Sequence, residues 1–300
     1  MNELQDGAYV ALVTPLDAGG RLAEESLARL LERLSRAGLS GYVALGSTGE
    51  CASLPHHLRH TVMRKVREQL GAKATVLAGV VETSLEEAIA EAEQAAKAGM
   101  DAILVPPPFY FPMADQEVLA FYTALAEASP LPIVLYNIPQ YTKVVIPVEV
   151  VRTLASHPKV AAIKDSSGDM RYFGACVEAS EAARPHFRCF TGADDLLLAS
   201  LAQGGDGTIC SSANVLPEVS VEVIDRWRAG DLQGALRAQR RSARLIRTAH
   251  RLGGHRAWKA CVELLGAAPC RVAPPYVELV EGERNALKQV LAAVEAPTID

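Results

Sequence analysis

The chain has 300 residues, 49% of them hydrophobic and 22% charged, with a formal net charge of −5. That length suits two ordinary domains or one large barrel, and the balance is that of a soluble globular protein. It excludes a generally basic surface for nucleic acid or anionic lipid, and no apolar stretch is long enough to cross a bilayer.

The segment Met1-Asn2-Glu3-Leu4-Gln5-Asp6 lacks the basic and apolar regions of a signal peptide. The six cysteines (51, 176, 189, 210, 261, 270) are scattered without a CxxC pair, which reads as reduced thiols in the cytoplasm rather than a disulfide frame or zinc knuckle. In chain order, apolar strand-like runs fall near Tyr9–Thr14, Tyr42–Leu45, Thr75–Val80, Ala102–Val105, Ile133–Tyr136, Val160–Ile163, Arg188–Thr191 and Gly207–Cys210. Between them, segments such as Leu22–Ala37, Leu85–Ala98 and Gln116–Ala128 carry Leu, Ala and Ile at helical spacing among charges. Strands this apolar need cover on both faces, which implies a parallel sheet. A weak repeat agrees: Arg36-Ala37-Gly38, Lys97-Ala98-Gly99 and Gln203-Gly204-Gly205 each close a helix just before a strand. The expected fold is therefore a (β/α)8 TIM barrel over residues 1–224, with a doubly wound sheet as the alternative. Residues 225–300 read as a helical extension packed on the barrel, with helices at Leu232–Arg251, Arg256–Leu265 and Glu281–Val294. The basic stretch Arg237–Arg256 is interleaved with Ala and Leu, as on a solvated helix face.

In such a barrel the site forms at the carboxyl ends of the strands. The sixth apolar run breaks into Lys164-Asp165-Ser166-Ser167-Gly168, which sets an amine beside an apolar interior. Burial disfavours the charged form of an amine, and a neutral amine attacks a ketone to form a Schiff base. The second run ends in Gly46-Ser47-Thr48-Gly49-Glu50, whose backbone N–H groups and hydroxyls suit a small anion; without the Gly-Lys-Ser/Thr ending of a phosphate loop, a carboxylate is the expected guest. The fifth ends in Tyr136-Asn137-Ile138-Pro139, so a phenol lies one strand from the amine, placed to move protons or simply packed. His56, His57 and His60 lie at helical spacing, but without an acidic partner in register they read as a solvated helix end, and no metal site is expected.

These motifs, with Val13-Thr14-Pro15 and Ala213-Asn214, resemble the dihydrodipicolinate synthase and N-acetylneuraminate lyase family of class I aldolases over nearly the whole chain. The resemblance implies a barrel with a C-terminal helical region, usually a homotetramer, needing neither metal nor organic cofactor. It implies that Lys164 forms an imine with pyruvate or another 2-oxo acid, that Tyr136 is general acid and base, and that Ser47 and Thr48 bind carboxylate and relay protons. Tyr110 matches a relay tyrosine lent by a neighbouring subunit, while Gly192 and Ile209 fall where backbone lines the pyruvate site. Ser47 stands where a threonine is commoner. Tyr141 takes the place of an arginine that binds the aldehyde's carboxylate in the synthases, and a phenol offers no cationic fork. Phe109 and Thr83 replace a tyrosine and an asparagine that bind the inhibitor lysine in regulated synthases. Asp194 and Asp195 match an acidic pair that holds sugar hydroxyls in the lyases, with Ser166 and Ser211 matching hydroxyl residues nearby; Asp194 can also be read as a cap on the helix that follows.

The expected activity is a Schiff-base lyase joining or splitting pyruvate and a small aldehyde, best fitting a 2-keto-3-deoxy sugar acid or 4-hydroxy-2-oxoglutarate. Dihydrodipicolinate synthase, N-acetylneuraminate lyase and a related dehydratase are the alternatives within that chemistry. A non-catalytic 2-oxo-acid sensor is the alternative outside it, disfavoured because a sensor has no use for a proton relay.

Overall fold

The structure, a computed structural model, describes residues 4–184, 186–296 and 299; residues 1–3 of the N-terminal segment read above lie outside it. Strands β1 (Gly7–Ala11), β2 (Gly41–Ala44), β3 (Val76–Gly79) and β4 (Ala102–Val105) are followed by β5 (Ile133–Asn137), β6 (Val160–Asp165), β7 (Arg188–Thr191) and β8 (Gly207–Cys210). All pair in parallel and in chain order, and β8 closes on β1, which rules out the open doubly wound sheet. Helices α1 (Glu24–Ser35), α2 (His56–Leu70), α3 (Leu85–Lys97) and α4 (Asp115–Ala128) follow the first four strands. The single turn α5 (Pro139–Thr142) and α6 (Val148–Ala155) follow β5, α7 (Met170–Ser180) follows β6, α8 (Leu197–Ala202) follows β7 and α9 (Pro217–Arg228) follows β8. The C-terminal part is α10 (Leu232–Arg251), α11 (His255–Leu264) and α12 (Glu281–Ala293).

The helices form for the reason their spacing suggests. In α1, Leu27, Leu30, Leu31 and Leu34 make one buried stripe. Asp169 caps α7 by accepting from the N–H groups of Arg171 and Tyr172, and Asp231 caps α10 at Gly234. The glycines of the weak repeat, Gly38, Gly99 and Gly204, all have φ between 76° and 88°, the left-handed turn that ends a helix. In α10 the side chains of Ala235, Ala238, Leu245, Ile246 and Ala249 are buried while Arg237, Arg240, Arg244 and Arg247 face solvent.

The core has two layers. Tyr9, Val43, Leu77, Leu104, Val134, Phe190 and Ile209 fill the barrel interior, with the Tyr9 and Phe190 rings edge-on at 5.3 Å. A larger cluster lies between barrel and helices. The first strand corrects its sequence reading: it runs from Gly7 to Ala11, not from Tyr9 to Thr14. Leu12 still donates to Val43, but the Val13 N–H goes to the side chain of Asn214, so apolar sequence continues past the end of the ladder. Apolarity reports burial, not strand pairing. Among the described residues, no helix is long and apolar enough to cross a membrane.

Candidate active site

Tyr136 and Lys164 are register partners on β5 and β6, 3% and 4% exposed. The Lys164 Nζ stands 4.4 Å from the centre of the Tyr136 ring. Successive strand residues face opposite ways, so the next pair, Asn137 and Asp165, serves a different purpose. Asp165 accepts from Asn137 Nδ2 at 2.8 Å and from Ser167 N and Oγ at 3.0 and 2.9 Å, and Asn137 Oδ1 accepts from Ile146 N. Burial pushes the Asp165 carboxyl above the usual range, and these hydrogen bonds pull it back. The lattice pins the two strand ends and with them the amine beside the phenol.

Gly192, just past β7, donates to Asp165 O at 2.6 Å. A Cβ there would lie 2.0 Å from Ser166 Oγ and 2.6 Å from Lys164 Cε, so only glycine lets the lysine stem and the Ser166 hydroxyl occupy their places. Ile209 of β8 is buried in the interior cluster that also holds Tyr136 and Phe190.

The loop Gly46–Glu50 enters and leaves through two non-glycine residues with positive φ, Leu45 at 61° and Glu50 at 60°. Such strain persists where surroundings over-determine it. Thr14 Oγ1 donates to Gly49 O at 2.9 Å, and both carboxylate oxygens of Glu50 are engaged. Held this way, Ser47 Oγ lies 3.3 Å from Tyr136 Oη, and Thr48 Oγ1 lies 2.6 Å from Ser211 Oγ. Asp194 accepts from Ser211 N at 3.3 Å and Ser212 N at 2.6 Å, and burial raises its pKa. It therefore caps the turn after β8, not the helix after itself; Asp195 beside it is exposed.

Above these groups opens a cavity of about 780 Å³ whose wall includes Ser47, Glu50, Phe109, Gln140, Tyr141 and Lys143. Ser47 belongs both to this wall and to the hydroxyl pair with Tyr136, so it links the cavity to the buried lysine. Tyr141 is 62% exposed, and Lys143 turns its ammonium back to Gln140 O at 2.9 Å. The far wall is C-terminal: His250, Gly253, Gly254, His255 and Tyr276. The His255 and Tyr276 rings meet edge-on at 4.7 Å, and burial pushes the His255 pKa down.

Sequence reading missed this C-terminal wall and the contact that holds it. Lys259, with no exposed surface, pairs with Glu50 Oε2, while Glu50 Oε1 accepts from Ala273 N at 3.0 Å. The available signal was a single lysine inside the apolar run Ala257-Trp258-Lys259-Ala260-Cys261-Val262. Two other groups lie apart from the cavity. Tyr110 is 78% exposed, packs edge-on with Phe111 at 4.9 Å and lines a second groove with Thr83. His56 and His60 do have an acidic partner, but it comes from the next helix: Glu91 of α3 accepts from both.

A sequence profile of the dihydrodipicolinate synthetase family matches residues 5–294. The 4-hydroxy-tetrahydrodipicolinate synthase of Methanothrix thermoacetophila is 32% identical over 294 residues, 98% of each chain. Among solved structures, dihydrodipicolinate synthase from Thermotoga maritima superposes with a TM-score of 0.94 at 27% identity, covering 98% of this chain and 99% of its own. A prophage protein of E. coli K12 from the dihydrodipicolinic acid synthase family, in complex with pyruvate, gives 0.92 at 29% identity over 97% and 99%.

Proposed function

Because the chain belongs to the dihydrodipicolinate synthetase family, we propose that Lys164 carries its Schiff-base chemistry and that pyruvate's partner is a small hydroxylated aldehyde. The family fixes the class: the chain is a carbon–carbon lyase that works through a lysine imine on pyruvate plus an aldehyde. In the proposed reaction Lys164 Nζ attacks the ketone of a 2-oxo acid, and water leaves as the iminium forms. The Tyr136 hydroxyl, 3.3 Å from Ser47 Oγ, moves the protons, and Ser47 and Thr48 hold the carboxylate beside the Gly192 and Ile209 backbone. On cleavage a substrate hydroxyl gives up its proton, the adjacent C–C bond breaks and the electron pair passes to the iminium, leaving the pyruvate enamine and a free aldehyde.

Tyr141 carries the substrate reading. It stands in the cavity wall where a synthase would present arginine, and Lys143 is the one Lys or Arg among the described residues of that wall. Losing a charged partner for the aldehyde's carboxylate costs about 1.5–3 kcal/mol. A 2-keto-3-deoxy sugar acid is therefore the substrate we assign, with the Ser166 and Ser211 hydroxyls to meet its own; 4-hydroxy-2-oxoglutarate, whose aldehyde half is glyoxylate and keeps a carboxylate, would call on Lys143 as the synthase substrate does. The second reading, condensation of pyruvate with aspartate semialdehyde, is favoured by the names of the relatives, and Lys143 would then have to leave Gln140 to meet the carboxylate. We further assign residues 1–224 as the catalytic barrel and 225–300 as the helical region packed on it, with α9 crossing the division as a shared element. The exposed Tyr110 suits donation to a neighbouring subunit in a homotetramer, and the six free, buried cysteines suit a reducing cytoplasm.

Two measurements test this. Pyruvate followed by borohydride should add one reduced pyruvyl group to Lys164, and labelling that persists in Lys164→Ala refutes the assignment. The second compares kcat/KM for aldol cleavage with that for condensation of pyruvate and aspartate semialdehyde. Condensation ahead by about tenfold, 1.4 kcal/mol in the barrier, would replace the aldolase reading with the synthase one.

A further inference from the structure

The outer helical layer carries a cluster with no part in the imine chemistry. His56 and His60 sit one turn apart on α2, and both rings aim at one carboxylate oxygen of Glu91 on α3: His56 Nδ1 at 2.9 Å and His60 Nε2 at 2.7 Å. One ligand atom from each residue lies within 4.8 Å of the others. The Glu91 side chain is 8% exposed, and among the described residues no lysine or arginine forms an ion pair with it. The neighbouring arginine, Arg59, is committed to Glu82 and Leu54 O. A buried carboxylate without a fixed cation, faced by two imidazoles that remain 49% and 32% exposed, is an open three-ligand set.

We propose that His56, His60 and Glu91 bind one divalent transition-metal ion of the zinc class, which clamps α2 to α3. Two imidazole nitrogens and a carboxylate are donors that this class accepts, and the exposed side leaves room for water as a fourth ligand. Bond lengths of about 2.0–2.2 Å set tetrahedral donors roughly 3.3 Å apart. The carboxylate oxygen would withdraw from the two nitrogens by about half an ångström, and the nitrogens, within 4.8 Å of each other, would settle to the same spacing as the ion enters. Two donors come from one helix and one from the next, so the ion would cross-link α2 and α3. Neither histidine lines the 780 Å³ cavity, so the site is structural and separate from turnover.

The test uses tag-free full-length protein stripped by a chelator and titrated with Zn²⁺ by calorimetry, with Co²⁺ absorption as a second probe. One equivalent should bind per chain, Co²⁺ should show ligand-field bands of a low-coordinate site, and the melting temperature should rise with Zn²⁺. His60→Ala and Glu91→Gln should each weaken binding by at least about tenfold and abolish that rise. Lyase turnover should be the same in stripped and loaded protein. His60 is partly exposed on a helix, so its alanine variant keeps the fold and decides the matter even where Glu91→Gln does not express. No saturable Zn²⁺ binding, or unchanged affinity in His60→Ala, overturns the proposal.

Discussion

The floor and the rim of the cavity are built on opposite plans. At the floor, Lys164 and Tyr136 are 4% and 3% exposed and sit on adjacent strands whose ends are pinned by Asn137 and Asp165. At the rim, Tyr141 is 62% exposed, and Lys143 bonds a backbone carbonyl three residues away. The floor is preorganised, which is where catalytic power comes from, whereas the rim can change its side chains without disturbing the lattice below. Chemistry common to a family and selectivity peculiar to a member can therefore occupy one cavity.

Substitutions that break the floor should cost most. Replacing Tyr136 with Phe should leave pyruvate trapping largely intact and lower turnover by about 10²–10⁴-fold, because in the proposed reaction the lost hydroxyl moves protons and does not bind the ground state. Wild-type turnover in that variant would remove Tyr136 from the mechanism. Lys259→Met should destabilise the fold by about 3–5 kcal/mol in denaturant titrations, since Glu50 would stay buried without its ammonium partner, left with the Ala273 N–H and the His255 ring 3.8 Å away. The double variant Lys259→Met with Glu50→Gln should recover part of that loss, and failure to recover any would mean that packing, not charge, explains the damage. Gly192→Ala should lower kcat by about 10²-fold with little change in melting temperature, through displacement of the lysine stem by about an ångström. An unchanged kcat would show that the stem has slack which the geometry denies. At the rim the effect should be smallest and selective: Tyr141→Arg should shift kcat/KM by about tenfold toward carboxylate-bearing aldehydes and leave borohydride trapping alone. A loss of trapping there would mean that floor and rim are coupled.

The same division governs what the sequence discloses. Strand-end motifs are contiguous, so Lys164, Tyr136 and the Ser47-Thr48 pair are legible from their neighbours in the chain. The barrel too follows from apolar runs and glycine stops, with an error at β1 because burial outlasts pairing there. Contacts between distant segments leave weaker marks. Glu91 stands 31 residues from His60, and Lys259 stands 209 from Glu50, so no local spacing announces either partnership. Asp194 was ambiguous for a related reason, since its partners are N–H groups 17 and 18 residues on and backbone donors carry no signature in side-chain sequence.

The buried pair of Glu50 and Lys259 also imposes an order on biosynthesis. The Gly46–Glu50 loop leaves through the strained φ of Glu50, whose carboxylate is held by Lys259 and the N–H of Ala273. A nascent chain emerges N-terminal end first, so all eight strands clear the ribosome while that carboxylate still lacks both partners. The barrel can close at that stage, but the loop that carries Ser47 and Thr48 gains the contacts that hold Glu50 only after Lys259 and Ala273 have emerged, so the proposed carboxylate site is completed later than the strands beneath it.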